Sequence, residues 1–156
     1  MGYPRVGPLV AAGQARLRTL SANSLVMARQ PIYSSDAPKP IGTYCQGVRT
    51  ANTIYLSGQI GLEPATMTLA GGIDAQINQV FRNLRAVAAA AGATLDDAVK
   101  VTVFLTDLGN FARVNEAMAR YFAPPYPARA AVGVASLPRG ALVEIEAILV
   151  VGESHG

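Results

Sequence analysis

Apolar residues recur along this chain with two different periods, and the points where one period yields to the other divide it into elements. Ile73, Ile77, Val80, Leu84, Val87 and Ala91 follow one another at steps of four and three, the spacing of one stripe on a helix. The pattern predicts a helix of about five turns that stops at Gly92. Upstream, Thr53-Ile54-Tyr55-Leu56-Ser57 is rich in β-branched and aromatic residues and predicts a strand ending at Gly58, followed by a turn-rich stretch over 61–72. Downstream, 98–105 reads as a strand with Val99, Val101, Val103 and Leu105 on one face. Asp107 and Asn110 then mark a turn and a helix N-cap. A second helix carries Phe111, Val114, Met118 and Tyr121 or Phe122 along one side, until Pro124 and Pro125 end it. A short strand over 130–134, a turn at Pro138, Arg139 and Gly140, and a last and longest strand over 142–151 complete the series. This order predicts an α+β layer with both helices packed on one face of a mixed sheet.

The last strand separates two kinds of residue. Val143, Ile145, Ala147, Leu149 and Val151 share the face that suits packing under helices, while Glu144, Glu146, Ile148 and Val150 share the other. Two residues along a strand set the two carboxylates about 6.8 Å apart. A face that mixes acids with Ile and Val suits neither open water nor a helix layer, so a neighbouring subunit is expected to cover it. Composition points the same way: charged residues make up 15% of the 156, well below the roughly 25% usual for soluble domains. A homo-oligomer is expected. Confined carboxylates need an arginine, a donor network or a ligand, which makes the subunit seam a candidate site.

The one cysteine, Cys45, and the one histidine, His155 in a C-terminal tail (152–156), exclude an internal disulfide framework and leave too few ligands for a Cys/His zinc site. The same scarcity removes Ser-His-Asp and Cys-His triads, so any chemistry must use Arg, Glu, Asp, Tyr, Ser, Thr and backbone groups. Residues 1–35 contain Arg5, Arg16, Arg18 and Arg29 and no acid, whereas 36–156 carries one net negative charge. A nearly neutral domain argues against a dedicated nucleic-acid binder, which needs clustered Lys or Arg. Segment 1–35 mixes Gly, Pro, Ala, Ser and Arg without periodicity and is expected to be a flexible extension, with the folded domain over 36–151. Its composition resembles an organellar transit peptide; alternatively Met27 is the natural start. No apolar run reaches the roughly 18 residues of a membrane span, so the expected location is the cytoplasm, or the mitochondrion if the extension is a transit peptide.

Four segments carry a more specific signal: Ile41-Gly42-Thr43-Tyr44-Cys45-Gln46-Gly47, Ile54-Tyr55-Leu56-Ser57-Gly58-Gln59-Ile60-Gly61, Tyr126-Pro127-Ala128-Arg129-Ala130-Ala131-Val132, and Leu137-Pro138 followed by Glu144-Ile145-Glu146-Ala147. In order and spacing they resemble the RidA/YjgF family of reactive-intermediate (enamine/imine) deaminases. The resemblance implies a chorismate-mutase-like α+β fold, a homotrimer with clefts at the subunit interfaces, and hydrolysis of 2-imino acids such as 2-iminobutanoate and 2-iminopropanoate without cofactor or metal. It also implies that Arg129 binds the substrate carboxylate, that Glu144 positions or activates the attacking water, and that Tyr44 lines the cleft. Ser57, Gly58, Asn115 and the backbone at Ala131 lie on matching segments as substrate-binding candidates.

The residue chemistry is consistent with that reading. A guanidinium grips a carboxylate through two parallel hydrogen bonds, which orients a very small substrate. An iminium carbon is already electrophilic, so one carboxylate that places a water and accepts its proton suffices. Lys100 in a strand and Lys39 in a Pro-flanked loop are not obvious Schiff-base lysines. The sequence departs from the family pattern at Thr43, where a proline is common, at Ala131, where many members have Cys, and at Gly133, which often is a larger polar residue. Blander readings stand beside these. Arg129 could pair with Glu144 or Glu146 in a structural interface bridge, Tyr44 could be interface packing, and Asn115 could bond only neighbouring backbone. Two other functions stay open: a regulatory trimer that binds small carboxylates without turnover, and an endoribonuclease or translation inhibitor.

Overall fold

The computed structural model describes residues 28–152; the expectations for residues 1–27 and for His155 lie outside these. Six strands form one mixed sheet, crossed on one face by two helices: β1 (Gln30–Ile32), β2 (Gly47–Thr50), β3 (Thr53–Ile60), α1 (Gly72–Ala90), β4 (Ala98–Leu105), α2 (Phe111–Tyr121), β5 (Ala128–Gly133) and β6 (Val143–Val150). The order across the sheet is β1-β2-β3-β6-β4-β5, antiparallel except for the β4–β5 pair. The last strand in sequence therefore sits near the centre, and β5 forms one edge.

The helical stripe is where its period places it. Ile77, Val80, Leu84 and Val87 are buried against the sheet, each worth about 1.5–3 kcal/mol by the area removed from water. Gly92 follows α1 at φ +72°, the left-handed conformation in which glycine ends a helix without steric cost. Phe81 joins the two helices, its ring stacked on Tyr121 at 5.0 Å and edge-on to Phe122 at 5.7 Å. On β6, Val143, Ile145, Ala147 and Leu149 are buried and Glu144, Glu146, Ile148 and Val150 face the other way, as the alternation requires.

Six expectations are corrected. β1 falls inside the stretch expected to be an extension and pairs with β2 through Gln30 to Arg49 and Ile32 to Gly47. Three residues are too few for a period to register, and Pro31 fits an outermost strand that has no further ladder partner. β3 does not stop at Gly58 but continues to Ile60 across a bulge. In β4, Val99 is 47% exposed and Ala98 is buried, because the register shifts between Ala98 and Lys100 and an extra residue reverses the alternation locally. Asn110 precedes α2 without a side-chain cap bond; Asp107 instead accepts from the Gly109 N–H at 2.8 Å. β5 begins at Ala128, two residues earlier than expected, and β6 equals β3 and β4 in length.

Candidate functional site

Glu144 lies on the helix-free face of the sheet, in a cleft of about 410 Å³ that it shares with Tyr44, Ser57, Gly58, Glu146 and Lys39. The bulge in β3 shapes this cleft. Between the pairs Leu56–Ala147 and Gln59–Ile145, two residues of β3, Ser57 and Gly58, stand opposite the single residue Glu146 of β6. The bend carries Gly58 so close to Glu144 that a Cβ at position 58 would overlap the carboxylate. Only glycine at 58 leaves the carboxylate where it stands; a larger residue would have to push the Glu144 side chain aside. Burial first, and then the negative charge of Glu146, hold Glu144 above the ordinary carboxylate range.

Ser57 is held from both ends of its residue: its N–H donates to the Gln46 carbonyl at 3.0 Å and its hydroxyl donates to the Cys45 carbonyl at 2.6 Å. The hydroxyl proton is thereby engaged, which leaves the oxygen of this cleft-lining residue to act as an acceptor. Tyr44 stands in the outer wall, 47% exposed, with its hydroxyl accepting from the Ile41 N–H at 3.4 Å.

The walls of the cleft are fixed by three buried carboxamides that the sequence reading did not single out. Gln46 accepts from the Ser34 N–H and donates to the carbonyls of Ser34, Ala37 and Pro38, pinning the loop that leads to Lys39 and Tyr44. Asn83 of α1 donates to the carbonyls of Ile60 and Leu62. Gln76, one helical stretch earlier, accepts from the Leu142 N–H at 2.9 Å, where the chain enters β6. The available signal was the intrusion of Gln76 and Asn83 next to an apolar stripe: a buried amide is tolerated only when its hydrogen bonds are met.

Arg129 is elsewhere. On β5 it lies in register with Val101, a residue buried beneath the helices, so its side chain rises on the helix-bearing face at the sheet edge. There it lines a second cleft of about 420 Å³ with Asn115, Met118, Tyr126 and Pro127. Its Nη1 donates to Asn115 Oδ1 at 2.5 Å and contacts Met118 Sδ at 3.3 Å, and its Cζ lies 4.8 Å from the centre of the Phe111 ring. Nε and Nη2 have no hydrogen-bond partner among the described residues. Within one chain Arg129 pairs with neither Glu144 nor Glu146, and Asn115 bonds Arg129 rather than its own helix backbone. Ala131, the next residue on the same face of β5, packs against the core and lines neither cleft.

One chain thus divides the expected residues into an acid half, with Glu144, Tyr44, Ser57 and Gly58, and an arginine half, with Arg129 and Asn115. The two halves open on opposite faces of the sheet. Among the described residues no helix is long and apolar enough to cross a membrane.

Comparison with known proteins agrees with the four segments. Protein DfrA of Myxococcus xanthus is 53% identical over 127 residues, 80% of this chain and 97% of that protein. The 2-iminobutanoate/2-iminopropanoate deaminase of Dermatophagoides farinae is 47% identical over 116 residues, 74% of this chain and 91% of its own length. The crystal structure of RidA from the Antarctic bacterium Psychrobacter sp. superposes with a TM-score of 0.77 at 52% identity, over 78% of this chain and 99% of that one. The family model described as Endoribonuclease L-PSP matches residues 34–151, and with it the chain belongs to the RidA/YjgF family.

Proposed function

We propose that this protein hydrolyses small 2-imino acids, such as 2-iminobutanoate and 2-iminopropanoate, to 2-oxo acids and ammonia, without metal or cofactor, in sites completed between copies of a homotrimer. The observation that carries the reading is the division of the chemistry: in the acid cleft the cation beside Glu144 is Lys39, a point charge, while the planar fork that orients a carboxylate through two donors belongs to Arg129 in the other cleft, which has no carboxylate to act as base. Two copies in contact supply both. The uncovered sheet face supports such contact, since Tyr55, Val132 and Val150 lie on it and are 48%, 42% and 37% exposed in the single chain, an apolar surface that suits burial against another subunit.

In this mechanism the Nε and Nη2 edge of Arg129 takes the substrate carboxylate through two parallel hydrogen bonds. The imine carbon then sits over the Glu144 carboxylate of the adjoining copy. The imine reacts as its protonated iminium form: Glu144 accepts one proton of a water whose oxygen bonds to the carbon, and the C=N electron pair moves to nitrogen to give a neutral carbinolamine. Glu144 passes that proton to the amine nitrogen, then takes the hydroxyl proton as the C–O–H group becomes a carbonyl and the C–N bond breaks, releasing ammonia and the 2-oxo acid; Glu144 returns its last proton to solvent or to the departing ammonia. A carboxylate held above its ordinary range by burial and by Glu146 suits both accepting and returning that proton. Ser57 and Tyr44 bound the pocket and limit the side chain it accepts.

The test couples a serine or threonine dehydratase, which releases the imine, to capture by semicarbazide. The protein is expected to slow adduct formation in proportion to its amount. No effect at stoichiometric protein would overturn the deaminase reading. Retained 2-oxo acid binding in that case would select a carboxylate-binding trimer without turnover.

A further inference from the structure

We propose that Phe111, the first residue of α2, is a positioning residue for Arg129 and governs how the arginine half takes a carboxylate; this rests on the function proposed above. The periodicity of α2 puts Phe111 on the apolar stripe with Val114 and Met118, yet the structure leaves it 37% exposed while Val114, Ala117, Met118 and Phe122 fill the core beneath the helix. Its ring is spent on Arg129 instead. With Cζ at 4.8 Å from the ring centre, the guanidinium lies within the distance at which a cation is attracted to an aromatic face.

The contacts on the guanidinium are complementary. The Phe111 ring restrains its tilt, and Asn115 Oδ1 with Met118 Sδ engages Nη1 and restrains its rotation in plane. Phe111 and Asn115 are four residues apart on one helix and so present their side chains to the same point. What remains outward is the Nε and Nη2 edge, the pair of parallel donors that matches the two oxygens of a carboxylate. A leucine or methionine at 111 keeps apolar contact but removes the aromatic face, and a tyrosine keeps the face.

The experiment titrates the full-length protein and its Phe111→Leu, Phe111→Met, Phe111→Tyr and Arg129→Lys variants with 2-oxobutanoate by calorimetry, and measures kcat and KM for the dehydratase-generated imine. Loss of an exposed cation–π contact is expected to weaken 2-oxobutanoate binding and raise KM about two- to fivefold in the Leu and Met variants, with kcat and the melting temperature unchanged. Phe111→Tyr is expected to bind as the parent does. Parent-like affinity in either ringless variant, with Arg129→Lys weakened, would overturn this proposal alone. A fall in kcat at unchanged KM would also overturn it, since Phe111 would then act on the chemical step. Parent-like affinity in Arg129→Lys would overturn the underlying reading of the site and this inference with it.

Discussion

The two halves of the candidate site are built to different standards. The acid half sits at the middle of the sheet, on β3 and β6, and its walls are clamped by Gln46, Gln76 and Asn83 through hydrogen bonds to backbone groups. The arginine half sits on the edge strand β5 and depends on side-chain contacts from one helix, two of them at the surface. The difference fits the chemistry proposed for each half. Proton transfer to and from a water requires atoms held to a fraction of an ångström, whereas gripping a carboxylate tolerates a long side chain that adjusts as the ligand arrives.

Substitutions that strike one half should therefore leave different kinetic signatures. The largest effect belongs to Glu144→Gln, which keeps the shape of the cleft and removes the proposed base. kcat should fall by about 10²- to 10⁴-fold while 2-oxo acid binding persists, as steady-state kinetics and calorimetry would show. Equal loss of binding would mean that Glu144 contributes to recognition instead.

Two glycines in the same stretch of chain separate site geometry from fold. At position 58 an added Cβ meets the end of the Glu144 side chain, which can swing away; Gly58→Ala is expected to fold normally and lose about 100-fold in kcat through the displaced acid. At position 61 the added Cβ meets the Gln76 Cα at 2.7 Å, so α1 itself must move. Gly61→Ala should cost about 1–3 kcal/mol of stability, visible in thermal or denaturant unfolding. Equal melting temperatures for the two variants would contradict the contrast.

A smaller effect concerns pH. In the proposed mechanism Glu144 must be ionised to accept the proton of water, so kcat/KM should fall as pH drops through its raised pKa. Glu146 contributes to that elevation through its charge, so Glu146→Gln should move the acid limb of the profile to lower pH. An unchanged limb would assign it to another group.

Much of this arrangement was legible from residue order. The step pattern from Ile73 to Ala91 specified α1 and its buried face, the alternation in β6 put Glu144 and Glu146 opposite the core, and the four spaced segments held every candidate residue except Asn115. What local pattern could not carry was the consequence of pairing between distant strands. Whether Arg129 shares a face with Glu144 depends on β5 joining β4 in parallel and on β4 lying between β5 and β6, and no local period reports that. The bulges at Ser57 and Gly58 and at Val99 shift register by one residue, which inverts the alternation for everything read across them. Phe111 illustrates a different failure: its position fits the apolar stripe of α2, but the ring is used by a cation that only the tertiary fold brings near.

The central claim, that Arg129 and Glu144 meet across a junction between copies, is tested most directly by subunit mixing. Arg129→Ala and Glu144→Gln proteins, each inactive, are unfolded together in equal amounts, refolded and assayed for imine hydrolysis. If every site joins the arginine half of one copy to the acid half of another, random assembly leaves one site in four with both groups intact, and activity should return to about a quarter of the parent level. A refolded mixture as inactive as its two components would contradict the account.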